Sequence, residues 1–225
     1  MSVQNSIEVQ NWGLLNYAQS LHQMDLEHQN ICSSQTVSEK LILVQHPPVV
    51  TMGNRFNPQD MLVNEEHLSH LGIDFCHTDR GGSVTVHEPG QLVVYPLLRI
   101  DGRKRTVRNL ICALEECMIQ TCAHFGVTAK RDSINPGVWV NERKIGAVGI
   151  RISQRVSKHG IALNITNSLS TFQNIIPCGI ASRGVVNLKQ TLGDNEFEKY
   201  SESDNLLFQD AQAILTQKLV QLLQI

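Results

Sequence analysis

Near the start of the chain, apolar side chains at Leu14, Ala18, Leu21 and Met24 recur at helical spacing. The run Leu41-Ile42-Leu43-Val44 then reads as a short buried strand stopped by His46-Pro47-Pro48, so the opening is predicted as helix then strand. A short helix over residues 65–71 and a strand at Ile73-Asp74-Phe75-Cys76 follow, then a loop over residues 80–91, then the apolar strand Leu92-Val93-Val94-Tyr95. Apolar positions 107, 110, 111, 114, 118, 122 and 125 mark the strongest amphipathic helix of the chain; Gly126 closes it, and one face must pack on a sheet. Gly137-Val138-Trp139-Val140, residues 144–152 and residues 160–165 are rich in Val, Ile and Gly with polar turns between them, the pattern of a strand meander. Leu206, Ala211, Ile214, Leu215, Leu219 and Leu222 return to a helical period and are expected to cover an outer sheet face.

Strands joined by turns too short for a crossover helix must run antiparallel. The predicted class is therefore α+β, a mixed sheet with packed helices, rather than a doubly wound parallel sheet. No internal repeat, low-complexity tract or polar linker divides the chain, and residues 1–225 are expected to form a single domain.

At 225 residues and 41% hydrophobic content the chain can bury a sizeable core. Nineteen basic against twenty-one acidic residues leave no overall positive field of the kind that steers proteins to nucleic acid. No apolar stretch approaches the roughly 20 residues needed to span a bilayer. The first residues show neither a signal core nor Arg-rich amphipathicity, so a cytoplasmic protein is expected. Six cysteines, at 32, 76, 112, 117, 122 and 178, lack disulfide or zinc spacing and read as reduced thiols, with Cys112, Cys117 and Cys122 taken as small buried hydrophobes. His67 and His70 lie three apart on a helix without a companion ligand and are read as surface residues. Neither a phosphate loop nor a dinucleotide fingerprint is present.

Candidate chemistry centres on Cys178 in Ile176-Pro177-Cys178-Gly179-Ile180, because a turn of Pro and Gly can hold a thiol exposed. Taken alone such a thiol is more often structural than catalytic. To attack at neutral pH it must ionise, and a nearby ammonium favours the thiolate, which makes a lysine the partner to seek; Lys144 is the candidate, although by itself it reads as an ordinary solvated turn lysine. Gly81-Gly82 is either a tight turn or a place of close backbone approach to a ligand, with Arg80 as a fixed positive charge and His87 as a neutral or titrating donor beside it. Small residues at 147–149 and 160–162 fit either core strands that need little room or a slot for an alkyl chain between neighbouring strands. Burying about six methylenes there contributes on the order of 5 kcal/mol at ~0.8 kcal/mol each.

In this order the motifs resemble the lipoyl(octanoyl) transferase family. They are His46-Pro47-Pro48, residues 80–91, Gly137-Val138-Trp139-Val140, residues 144–149, residues 159–164 and Pro177-Cys178-Gly179-Ile180. The resemblance implies a fold like the catalytic domain of biotin and lipoate protein ligases. It implies Cys178 as acyl-thioester nucleophile and Lys144 as the group that lowers its pKa and handles protons. Arg80, Gly81, Gly82, Ser83, Val84, Thr85, Val86 and His87, with Ala147, Val148, Gly149, Gly160, Ile161 and Ala162, would line the substrate. It further implies octanoyl-acyl carrier protein as donor, a lysine of a lipoyl domain from a 2-oxoacid dehydrogenase or glycine cleavage H protein as acceptor, backbone N–H groups as oxyanion donors, and no need of ATP, metal or other cofactor; a monomer is the default expectation, since the sequence itself does not give the oligomeric state. The chain departs from the family at Glu88 for the usual Gly, Ser83 for Gln and Val86 for Tyr; none of these removes an assigned chemical group, and the Glu88 carboxylate is a candidate to alter carrier docking. The rival readings are an ATP-dependent lipoate or biotin ligase, a lipoyl amidotransferase with the same Cys and Lys, and an inert docking protein.

Overall fold

Residues 41–44 become the centre of a strand buried on both faces, which is why they read as a continuous apolar run rather than an alternating one. The computed structural model describes residues 7–103, 105–133, 136–177 and 183–223. In chain order it runs β1 (Ile7–Leu14), α1 (Tyr17–Ser33), β2 (Glu39–Gln45), β3 (Val49–Met52), α2 (Glu65–His70), β4 (Asp74–His77), β5 (Val84–His87) and β6 (Gln91–Leu97). It continues with α3 (Val107–His124), β7 (Lys130–Arg131), β8 (Val138–Val140), β9 (Arg143–Ser153), β10 (Val156–Asn164), α4 (Asp194–Tyr200) and α5 (Asp204–Leu223). Short 3-10 helices occupy Pro58–Asp60, Ser170–Asn174 and Lys189–Thr191.

A seven-stranded sheet has the order β1-β2-β6-β10-β9-β8-β7, with only β1 and β2 parallel. A smaller sheet, β4-β3-β5, pairs β3 parallel to β4 and antiparallel to β5. The α+β class and the meander of β8, β9 and β10 are as expected. Alternation along β2 divides the large sheet's two faces: Leu41 and Leu43 meet α3 and α5, whereas Ile42 and Val44 meet α1. The small sheet packs Val50, Val84 and Val86 against Leu68 of α2 and Phe172.

Local chemistry sets the helix ends. Asn16 accepts a hydrogen bond from the Ala18 N–H at 2.9 Å to open α1, and Thr106 accepts from Asn109 N–H at 3.1 Å to open α3. Gly126, at φ 72°, takes the left-handed step beyond α3.

Several expectations change. The first element among the described residues is a strand, not a helix: β1 is an edge strand exposed along much of its length, Leu14 ends it at 60% exposure, and parallel pairing to β2 defines it. The buried stripe of α1 is accordingly Tyr17, Ser20, Met24, His28 and Ile31, with Ala18 outside. β3 follows two prolines directly, and a third of the expected loop over residues 80–91 is β5. Cys112 is exposed, whereas Cys117 and Cys122 are buried as read; burial pushes the Cys122 thiol up to about 12. Val107 and Leu206 also lie outside the buried stripes of their helices.

Candidate active site

The two sheets face each other across a cleft. On the large sheet, Ala147 pairs with Ala162 and Gly149 with Gly160 across β9 and β10, and these small residues leave the floor low. A Cβ on Gly160 would stand 1.9 Å from the Val94 carbonyl oxygen, and one on Gly149 would stand 2.9 Å from the Gly81 carbonyl oxygen. Glycine is therefore dictated at 149 by the docking of the Arg80-Gly81-Gly82 loop, whose Gly81 N–H donates to the Ile150 carbonyl at 3.1 Å. Arg80, Gly81, Gly82, Ser83, Thr85 and His87 form the opposite wall, so most residues singled out in the sequence share one cavity. Val84 and Val86 alternate to the other face of β5 and pack in the small sheet's core; their side chains do not line the cleft.

The polar wall differs in detail from the expectation. Arg80 is buried and its guanidinium donates to the Thr51 carbonyl at 2.6 Å, the Thr51 hydroxyl at 2.9 Å and the Gly81 carbonyl at 3.1 Å, which fixes the glycine loop to β3. His87 Nδ1–H donates to Gln91 Oε1 at 2.7 Å, an orientation set because Gln91 Nε2 donates to the Val86 carbonyl and Asn164 Oδ1. Burial holds His87 well below the usual imidazole range, with His46 adding to the effect, so its Nε2 is an acceptor rather than the expected donor. Behind it, His46 donates from Nδ1 to the Leu15 carbonyl and accepts the Tyr95 hydroxyl at Nε2, each at 2.8 Å. Tyr17 stacks on His87 at 5.5 Å, and burial raises the phenols of both tyrosines. At the cleft's far end the buried His159, neutral because burial lowers it, donates from Nε2 to Asp79 Oδ1 at 2.6 Å; that bond holds the Asp79 carboxyl low.

Burial lowers His46 to about 4, against the opposing pull of its bond to Leu15. The unfolded chain binds protons below about pH 6.5 that folded His46, His87 and His159 do not, so stability falls as pH drops through that window. His46 alone accounts for about 3 kcal/mol between roughly pH 6.5 and 4. Urea titrations at pH 7.5 and 4.5 should show the midpoint falling at the acid end; equal midpoints would mean these imidazoles are not neutral in the native state.

Lys144 sits at the other end. It is 7% exposed, its Nζ lies 4.9 Å from the centre of the buried Trp139 ring, and it lines a second, small cavity with Gln91, Phe172 and Pro177. Thr85, Ala147 and Ala162 line both cavities, so the two adjoin. Cys178 lies outside the described residues, but the chain is fixed on either side of it. Ile176 N–H donates to the Asp60 carbonyl at 2.7 Å, and Leu62 N–H donates to the Asn174 carbonyl at 3.0 Å. After it, Lys144 N–H donates to the Gly184 carbonyl at 2.9 Å and Val186 N–H to the Lys144 carbonyl at 3.0 Å. Arg183 lies over Trp139 at 4.2 Å and pairs with Asp132 and Glu142, each at 2.5 Å.

Sequence reasoning missed Tyr17, Val93 and Tyr95 as cleft residues, because a tyrosine in an apolar run carries the same signal whether it fills a core or faces a ligand. His67 and His70 are exposed, as read. Among the described residues no group of three or more His, Cys, Asp or Glu could hold a metal ion, and no helix is long and apolar enough to cross a membrane.

Residues 16–206 match the family model of the lipoyl protein ligase A/B catalytic domain. An octanoyltransferase of Alkaliphilus metalliredigens is 40% identical over 188 residues, covering 83% of this chain and 86% of its own. A mitochondrial octanoyl-acyl-carrier-protein:protein N-octanoyltransferase of Danio rerio is 44% identical over 164 residues, covering 73% and 72%. In shape, the chain is similar to a bipartite lipoate protein ligase of Thermoplasma acidophilum, with a TM-score of 0.60, 12% identity and coverage of 94% and 91%, a likeness of fold alone.

Proposed function

The chain belongs to the lipoyl protein ligase A/B catalytic-domain family, in its lipoyl(octanoyl) transferase branch, and from this we propose that it moves an octanoyl group from octanoyl-acyl carrier protein to a lysine of a lipoyl domain through a thioester on Cys178. The observation that carries the reading is the buried Lys144 side chain on the wall of the cavity that Pro177 also lines, with the small-residue cleft adjoining it.

In the first half-reaction the Cys178 thiolate, stabilised by the Lys144 ammonium, attacks the donor thioester carbonyl. The carbon–sulfur bond to the carrier's prosthetic thiol breaks, and the expelled thiolate takes a proton from Lys144. In the second, the acceptor amine attacks the octanoyl-Cys178 carbonyl and gives a proton to the now neutral Lys144. The Cys178 thiolate leaves, the amide remains, and the enzyme returns to its starting charge state. Both steps start from an activated thioester, so the route consumes no ATP. The octanoyl tail occupies the cleft over Ala147, Gly149, Gly160 and Ala162. The remaining residues of the cleft wall, Arg80, Gly81, Gly82, Ser83, Thr85 and His87, close the cleft around the tail. One catalytic domain suffices for both steps.

Mixing the protein with octanoyl-acyl carrier protein and a lipoyl domain, without nucleotide, should yield octanoyl-lysine amide on the domain. Amide formation only with ATP and free octanoate would make it a ligase instead. The cleft's role is tested by Ala162→Leu, which fills the wall shared by both cavities. Its kcat/KM for octanoyl carrier should fall at least about tenfold through overpacking, with butyryl carrier far less affected. A uniform loss across a C4 to C10 donor series would place the alkyl chain elsewhere.

A further inference from the structure

Glu88, on the turn between β5 and β6, is 3% exposed and so faces no carrier, contrary to the expectation for its carboxylate. Its Oε1 accepts from Leu169 N–H at 2.7 Å and Asn167 Nδ2 at 3.0 Å, and its Oε2 from Thr171 N–H at 3.3 Å. These donors cluster at the start of the 3-10 helix Ser170–Asn174, whose own N-cap residue, Leu169, offers no side-chain cap and stands at φ 64°. A leucine holds that left-handed conformation only where neighbours fix it. A carboxylate from a strand turn about eighty residues earlier in the chain therefore does what a local Asp or Ser does at other helix starts, with the added strength of charged hydrogen bonds.

The helix so held leads to the site. Phe172, within it, lines the Lys144 cavity, and three residues, Ile175, Ile176 and Pro177, separate its last residue Asn174 from Cys178. We propose that Glu88 is a positioning residue for acyl transfer: its buried carboxylate caps this helix from a distance and thereby sets the path of the segment that brings Cys178 to Lys144. This rests on the reading of Cys178 as nucleophile.

Glu88→Gln keeps the shape but replaces one acceptor oxygen with an NH2 group that faces an N–H donor. The test is the rate of octanoyl adduct formation on Cys178, followed by rapid quench and intact mass over a range of octanoyl-acyl carrier protein. Leu219→Ala, a core truncation in α5 on the opposite sheet face, serves as a control for lost stability. The maximal acylation rate of Glu88→Gln should fall about ten- to a hundredfold, as misplacement of a reacting group by ~1 Å does, while half-saturation changes little and Leu219→Ala keeps the parent rate. Should Glu88→Gln lose its cooperative melt, Asn167→Ala, which removes one of the three donors, carries the same readout with a smaller loss. Equal maximal rates in parent and folded variant would overturn the positioning role alone. A parent that forms no adduct would overturn the acyl-transfer reading and this role with it.

Discussion

Replacing Cys178 with alanine is expected to lower ATP-independent octanoyl transfer by on the order of 10⁴-fold or more, the scale on which loss of a covalent nucleophile is felt. Without the thiol, the acceptor lysine would have to meet the carrier-bound thioester directly, with two large proteins on one small site at once. Cys178→Ser should be nearly as inactive, because a serine hydroxyl beside an ammonium stays protonated at neutral pH. Neither substitution touches the pinned points on either side, the Ile176 bond to Asp60 and the Gly184 bond to Lys144, so the thermal midpoint should stay close to that of the parent. A variant transferring within tenfold of the parent would leave Cys178 a turn residue.

The second large effect is at Lys144, and its two variants should part company. Lys144→Ala removes the ammonium that favours the thiolate and the amine that cycles the proton, and overall transfer should fall about 10²- to 10⁴-fold. Lys144→Arg keeps a positive charge over Trp139 but cannot become a neutral base, since guanidinium holds its proton. The arginine variant should therefore still acquire octanoate from the carrier, slowly, and then fail to release it, so that the acyl-enzyme accumulates. Gel-shift counting of acyl-enzyme with and without lipoyl domain reads this directly. If both variants lose acylation and release in equal proportion, Lys144 supports the fold around Trp139 rather than carrying protons.

The chain's regular core was legible in its pattern because those strands and helices are buried in a way that leaves a local mark. Residues 41–44 are apolar on both faces, α3 repeats at helical spacing, and β8 to β10 are runs rich in Val, Ile and Gly joined by short polar turns. The misread strands are hidden for other reasons. β1 is an exposed edge, β3 is four residues directly after two prolines, and β5 lies within a segment whose glycines and histidine draw the eye to ligand contact. At the site, the glycine loop and the two small-residue strands were legible because close approach forbids a Cβ at Gly149 and Gly160. The polarity of His87 was not, since it depends on how Gln91 is oriented by Asn164, a residue 73 positions away. Nor was the burial of Glu88, whose three donors lie some eighty residues along the chain and come to it only when β10 pairs with β6.

The most direct measurement is intact-protein mass spectrometry of the enzyme after mixing with octanoyl-acyl carrier protein in the absence of ATP, followed by hydroxylamine treatment in one portion and addition of a lipoyl domain to another. An octanoyl adduct that maps to Cys178, is lost to hydroxylamine and is chased onto a lipoyl-domain lysine is the predicted result. No adduct from the carrier, with acylation of the domain only when ATP and free octanoate are supplied, would contradict the covalent transferase.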